Sequence, residues 1–361
     1  MAYIYDISVA VPEHELHQAQ AIAFMYRHLM LNDREKQKLS HLFHATGIEK
    51  RYTVVEDYIK NDVKGYTFFP QNETLSPFPT SKGRMKQFQK HALPLSLQAA
   101  KPLFDENIRP EQITHVITVS CTGLYAPGLD IELVQHLGIP THTQRTAVQF
   151  MGCYAAFNAL KLAYHICNSD KNAVVLIVAT ELCSLHFQNR TEADFMLANA
   201  LFGDGSAAVL LTGSKITEKP MLKIKQFYAD IYPEGKKDMA WYIGDTGFEM
   251  VLSQYIPALV EKGLPVLIEK LLTQFKDTHI DHYATHPGGK KILQAVENAL
   301  QIPSDAHKIS YEILAKYGNM SSATVLFVLQ SVLKKAKQGE HVLSTAFGPG
   351  LTLESMLFEV V

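Results

Sequence analysis

Three residues far apart in this chain could share one piece of chemistry. Cys153 stands in QFMGCYAAFNALKL, just after a glycine and just ahead of a long apolar run. The thiolate is the reactive form of cysteine, and an ordinary thiol ionises only at about pH 8.5. Free N–H groups at a helix start carry partial positive charge that favours the thiolate. Gly152 and Ala155 would let a substrate carbonyl approach the backbone. The competing reading is core filler, because free cysteine is among the most buried residue types and is mostly inert.

His286 lies in YATHPGGKKIL, where a strand-like segment ends at the histidine and Pro-Gly-Gly turns into a helix. That places an imidazole at the C-terminal end of a strand, where sites in α/β proteins gather. The chain has 16 histidines, so a core or turn role competes. His44, His91, His115, His165 and His282 are read as structural or surface groups. Asn319 lies in KYGNMSSATVLF. It reads either as a helix N-cap or as an amide that donates to a developing oxyanion.

The elements that must position these groups alternate. Residues 18–30 and 33–45 read as helices, and 61–83 as a loop rich in Pro, Ser and Thr. Residues 84–104 read as a helix broken near Pro94. HVITVSCTG, TAVQF, NAVVLIVATE and GDGSAAVLLTG read as strands buried on both faces. Strands mixed with helices argue for layered α/β architecture. The polar stretch from Lys215 to about Trp241 reads as a crossover, which sets an N-terminal half at 1–214 and a C-terminal half at 215–361.

The halves repeat each other. ITHVITV from 113 resembles IDHYATH from 280, and GCYAAFNALKL from Gly152 resembles GNMSSATVLFVL from Gly318, at nearly one offset. Cys153 and Asn319 then become equivalent positions, each opening a central helix. The helix after Cys153 is apolar almost all round, as a deeply buried helix must be. In the second, Lys334, Lys335 and Lys337 favour the negative end, and Gly339 suits the cap. STAFGPGLTLESMLF reads as strand, glycine-rich turn and strand, without the spacing of a phosphate loop.

Bulk properties exclude several classes. The chain has 361 residues, 47% of them apolar, with 34 basic against 36 acidic side chains. Near-balanced charge gives no reason to expect nucleic acid or an anionic membrane surface. No run is long and apolar enough to span a membrane, and the N-terminal segment does not read as a signal peptide. Cys121, Cys153, Cys167 and Cys183 follow no metal-ligand pattern. Free thiols in a reducing cytoplasm are expected.

At these motifs the chain resembles the type III polyketide synthases, the chalcone- and stilbene-synthase-like branch of the thiolase superfamily. The matching segments are GCYAA, ALFGDGSAAVLL, HPGGKKIL, YGNMSSATVLFVL and FGPGLTLESMLF, in family order. The resemblance implies an α/β fold, the duplicated five-layer αβαβα thiolase-like fold, in an obligate homodimer. It implies a buried site reached by a tunnel for the pantetheine arm of coenzyme A. Cys153 would be the nucleophile, His286 and Asn319 its partners, and Phe202 an aromatic gatekeeper between tunnel and cavity. Phe347, Gly348, Pro349 and Gly350 match the loop that shapes the cyclisation cavity, and Ser321 a cavity-lining serine. An acyl-CoA starter and malonyl-CoA are the implied substrates, with no metal or redox cofactor.

Some positions depart from the plant enzymes. His186 and Cys121 stand where they carry cavity threonines, and Ala198 and Ala346 where they carry glycines. Lys38 matches a residue that meets coenzyme A phosphates, but His41 and Ala45 replace basic residues. Lys50 and Arg51 in EKRY are the expected substitutes, unless the starter arrives on an acyl carrier protein. Three rival readings are a single-condensation 3-ketoacyl synthase, a cysteine hydrolase and an altered, inactive partner subunit. FGPG and HPGG argue against the first, the repeat against the second, and the intact Cys-His-Asn set against the third.

Overall fold

The computed structural model describes residues 1–253 and 255–361. The N-terminal half runs β1 (Tyr3–Ala10), β2 (His14–His17), α1 (Gln18–His28), α2 (Asp33–Ala45), β3 (Lys50–Thr53), α3 (Ser81–Ala100) and β4 (His115–Ser120). It continues with α4 (Leu129–Leu137), β5 (Gln144–Gln149), α5 (Ala155–Ser169), β6 (Val174–Leu182), α6 (Ala193–Leu201) and β7 (Asp204–Thr212). The C-terminal half opens with β8 (Leu222–Ile231), β9 (Met239–Gly244), β10 (Gly247–Leu252) and α7 (Ile256–Leu271). After it come β11 (His282–Thr285), α8 (Lys290–Leu300), α9 (Lys308–Tyr317), α10 (Thr324–Leu333), β12 (His341–Gly348) and β13 (Thr352–Val360).

Nine strands form one sheet in the order β11-β12-β13-β8-β1-β7-β6-β4-β5. The halves join at β1 and β8 through only two register pairs, Tyr3↔Lys223 and Ile4↔Leu222. Strand alternation then assigns every face. In β4, Val116 faces an outer core with α3, whereas Ile117 and Val119 face an inner core shared with α5 and α10. In β12, Val342 and Ala346 face that same inner core, whereas Leu343 and Phe347 face an outer core with α7. Helix, sheet, central helices, sheet and helix make the five layers of the thiolase-like fold. The repeated segments fall on matching elements: β4 pairs in parallel with β5 and β6, and β11 in parallel with β12.

Four expectations need correction. TAVQF falls in β5, which is not buried on both faces but lies at the sheet edge with largely exposed side chains, because only β4 flanks it. The helix around Pro94 is continuous from Ser81 to Ala100. The one backbone donor proline removes is outweighed by burial of Phe88, Ala92, Leu95 and Ala99 against the sheet. The stretch from Lys215 to Trp241 is not simply a crossover, because it contains β8. There Leu222 and Ile224 are buried while Lys223 and Lys225 stay accessible, so the charges occupy one strand face. Asn319 does not open its helix: a 3-10 turn, Ser321–Ala323, stands between it and α10.

Candidate active site

Cys153 lies between Gly152 and the first turn of α5. Gly152 adopts φ +90°, and a Cβ there would overlap Pro349 of the FGPG loop. A Cβ at Gly348 would overlap the Tyr154 ring. Both glycines are therefore demanded by close approach of the FGPG loop to the nucleophile turn. The thiol is 8% exposed, and burial, with the nearby Glu181 carboxylate, pushes its pKa up to about 12. Ser321 and Asn319 pull the other way.

His286 directly follows β11, its backbone N–H donating to Thr345 O at 2.8 Å. The imidazole is 1% exposed, and neither ring nitrogen has a partner among the described residues. Burial lowers its pKa to about 3, so the ring alone is neutral. Asn319 is held on three sides. Its backbone bonds Leu201 O and Gly203 N at 2.9 and 3.0 Å, which seats it beside Phe202. Its Oδ1 accepts from the Ser321 N–H at 2.9 Å, and its Nδ2 donates to Gly288 O at 3.2 Å. These bonds fix the amide orientation and leave one N–H uncommitted. Cys153 Sγ lies 4.0 Å from Asn319 Oδ1.

A channel of about 960 Å³ connects these groups to solvent. Cys153, His286, Asn319, Phe202, Phe347 and Pro349 line its inner part, and Lys38, Lys237, Lys290, Lys291 and Tyr255 line it too, the lysines solvent-exposed. A second cavity of about 60 Å³ adjoins it, lined by His186, Ala198, Cys183 and Phe248 among others. Phe202, Trp241 and Met250 line both spaces and so form the partition. Phe202, the expected gatekeeper, is one of these three residues.

Not every expected residue lines the channel. Cys121 sits beneath the nucleophile turn, where its Sγ accepts from the Gly152 N–H at 3.0 Å. Ser321 is fully buried at φ +47°, beside the Cys153 thiol whose pKa it lowers, and lines neither space. Gly348 and Gly350 shape the loop without lining either space. His186 is locked: Nε2 meets Thr122 O at 2.6 Å, Nδ1 accepts from Phe248 N–H at 3.0 Å, and the ring stacks on Phe248 at 4.0 Å. Lys50 and Arg51 are misplaced for a phosphate role. Lys50 pairs with Glu15 at 2.7 Å, and Arg51 is buried, donating to Asn199 O, Phe202 O and Gln18 Oε1.

Sequence reasoning missed Trp241 and Met250, which arrive on the β9–β10 hairpin, and the mouth lysines Lys237, Lys290 and Lys291. Lys290 and Lys291 directly follow HPGG, and Trp241 is the chain's sole tryptophan, so both carried a signal. It also missed Glu181, a buried carboxylate that accepts from Cys121 N, Thr122 Oγ1 and Ser322 Oγ at 2.9, 2.8 and 2.5 Å. Those three bonds tie the β4 loop and the turn before α10 to β6.

The family model for the N-terminal domain of chalcone and stilbene synthases matches residues 1–215, and the model for the C-terminal domain matches residues 223–361. The chain belongs to the chalcone and stilbene synthase family. It is 28% identical over 370 residues to the alpha-pyrone synthesis polyketide synthase-like Pks18 of Mycobacterium tuberculosis, covering all of this chain and 92% of that protein. It is 29% identical over 371 residues to probable polyketide synthase 1 of Dictyostelium discoideum, matching the whole chain but only 11% of that much longer relative. The C-terminal type III polyketide synthase domain of Steely1, a type I/III hybrid from Dictyostelium, superposes with a TM-score of 0.91 at 27% identity, covering 100% of this chain and 99% of that one. The chain is a type III polyketide synthase, a transferase of the acyltransferase kind. Among the described residues no helix is long and apolar enough to cross a membrane.

Proposed function

We propose that this synthase loads a starter acyl group from coenzyme A onto Cys153 and extends it repeatedly with malonyl-CoA. The observation that carries this reading is a single channel with basic side chains at its exposed end and Cys153, His286 and Asn319 at its depth. Its form suits a thioester at the tip of a flexible arm whose phosphates stay outside.

A buried thiol and a buried imidazole are each neutral alone. Transfer of the thiol proton to His286 gives an ion pair in which each charge stabilises the other. The thiolate attacks the starter thioester and expels the coenzyme A thiolate, which takes the proton from His286 and leaves an acyl group on Cys153. Malonyl-CoA then loses carbon dioxide, and the electron pair of the broken C–C bond becomes an enolate on the thioester oxygen. The His286 N–H and the free Asn319 N–H donate to that oxygen. The enolate carbon attacks the acyl-cysteine carbonyl, forming the new C–C bond and releasing the Cys153 thiolate. The lengthened chain returns to Cys153 for another round, or closes to a pyrone, resorcinol or related ring. These steps call on no metal or redox cofactor.

Phe202, Trp241 and Met250 divide arm from growing chain in this scheme, and the locked His186–Phe248 stack limits the inner space. A cytoplasmic homodimer is part of the same reading. Support for the second copy comes from β5, an edge strand whose outer backbone N–H and C=O groups have no neighbouring strand among the described residues. The test is incubation of the purified protein with labelled malonyl-CoA and acyl-CoAs of graded length. Several decarboxylations per starter with cyclic products are expected. One extension would point to a 3-ketoacyl synthase, bare thioester hydrolysis to a hydrolase, and no turnover to an inactive subunit.

A further inference from the structure

His286 is held from behind, not at its ring. Neither ring nitrogen meets a protein partner among the described residues, so no carboxylate or carbonyl fixes the imidazole plane. Orientation must come from the chain that carries it. That chain end is bound into a run of buried polar groups that the condensation scheme does not use. Thr285 Oγ1 lies 3.0 Å from Thr345 Oγ1 and 3.0 Å from His307 Nε2. His307 Nδ1 lies 3.3 Å from Glu297 Oε1, and Ser310 Oγ donates to Thr285 O at 2.8 Å. Thr285 and His307 are 1% and 0% exposed.

The proton positions in this run follow from its far end. A carboxylate only accepts, so His307 Nδ1 carries the hydrogen and Nε2 is the acceptor. The Thr285 hydroxyl donates to Nε2 and accepts from Thr345. Burial disfavours the charged imidazolium, in keeping with one proton on the ring. Every hydroxyl in the run has one direction, so loss of any member leaves a buried neighbour unsatisfied.

The run also reaches the second oxyanion donor. His307 immediately precedes α9, and Ser310 lies in its first turn. The far end of α9 delivers Gly318 and Asn319, and the Asn319 amide returns to Gly288 O, two residues beyond His286. The circuit from His286 through Thr285, His307 and α9 to Asn319 is therefore closed. We infer that Thr285 and His307 are positioning residues that set the spacing of the His286 imidazole and the Asn319 carboxamide for the enolate-forming step. The inference rests on the roles proposed above for His286 and Asn319.

The test follows carbon dioxide release from labelled malonyl-CoA by the full chain and by the variants Thr285→Val, Thr285→Ser, His307→Gln and His286→Ala. Thr285→Val keeps the shape and removes the hydroxyl. It should lower kcat on the order of tenfold and leave KM for malonyl-CoA within about twofold. His307→Gln should match it, and Thr285→Ser, which restores the hydroxyl, should recover to within about twofold of the parent. Parental release in both Thr285→Val and His307→Gln, beside a crippled His286→Ala, overturns the positioning role alone. So does a serine variant as slow as the valine, or a loss that merely tracks the folded fraction by circular dichroism. Unchanged release in His286→Ala would instead strike the proposed catalytic roles.

Discussion

The two central helices bring unlike tools to the site from equivalent positions. At α5 the chain turns at Gly152, passes Cys153 and Tyr154, and is helical by Ala155. The thiol therefore stands within one turn of a helix start, where partial positive charge favours its anion. At α10 the chain turns at Gly318 with φ +66°, and a further positive φ at Ser321 and a 3-10 turn delay the helix to Thr324. Asn319 is thereby kept extended, with its amide caught by Ser321 N–H and Gly288 O. One end of the duplication suits a nucleophile and the other a neutral donor, and the difference is made by a few residues of backbone.

Breaking each end in turn tests that contrast, and the largest effect belongs to the nucleophile. Cys153→Ala should abolish acyl loading, seen as the absence of a covalent acyl-enzyme by intact mass. A persistent adduct would end the assignment. Asn319→Ala should load starter at the parental rate yet release carbon dioxide from malonyl-CoA about a hundredfold more slowly, the usual scale for losing one oxyanion donor. Unchanged release would return Asn319 to a backbone role. His286→Ala should remove the acceptor of the thiol proton. Burial disfavours the Cys153 anion, so without an acceptor for its proton the variant thiol should stay protonated at neutral pH. Its alkylation by iodoacetamide should then be slow and climb continuously toward alkaline pH, whereas the parent reaches a plateau. A plateau in the variant as well would show that His286 does not hold the proton.

A smaller effect separates backbone from neighbourhood. Gly152 and Gly339 share φ +90°, but an added Cβ overlaps Pro349 at the first and meets nothing within 4 Å at the second. Gly339→Ala should cost about 1 kcal/mol, the price of the left-handed conformation alone. Gly152→Ala should cost about 3 kcal/mol, since the FGPG loop must also move. Equal denaturation midpoints for the two variants would show that the loop yields freely.

What could be read from the sequence follows a physical line. β4, β6 and β7 were visible as apolar runs because both of their faces are buried between layers. β8 was hidden because its lysines occupy alternate positions and dilute the apolar signal. The nucleophile, the imidazole and the carboxamide each sit beside a glycine or a Pro-Gly turn that local rules expose. The partition was only one-third visible: Phe202 lies in a matched motif, whereas Trp241 and Met250 reach it through a hairpin that only tertiary packing brings over the channel. Arg51 shows the opposite failure. A basic residue beside Lys50 looks like a surface cation, and nothing in its neighbours announces that its guanidinium turns inward to satisfy the C-terminal carbonyls of α6.

The channel mouth offers the mildest test, and one in which the halves act alike. Lys38 comes from α2, and Lys237, Lys290 and Lys291 from the C-terminal half, with Asp194 and Asp238 also in the lining. All four lysines are exposed, so each acts on a phosphate through screened attraction and not through a desolvated bond. Single replacement by alanine should therefore raise KM for malonyl-CoA about threefold at low salt and leave kcat unchanged. The effect should fade by about 0.5 M salt, where the Debye length falls to a few ångströms. Lys50→Ala is the matched control, because Lys50 is already paired with Glu15 away from the channel. A KM change at Lys50 equal to that at Lys38 would mean the phosphates lie along the β2–β3 ribbon, and the mouth would have to be redrawn there.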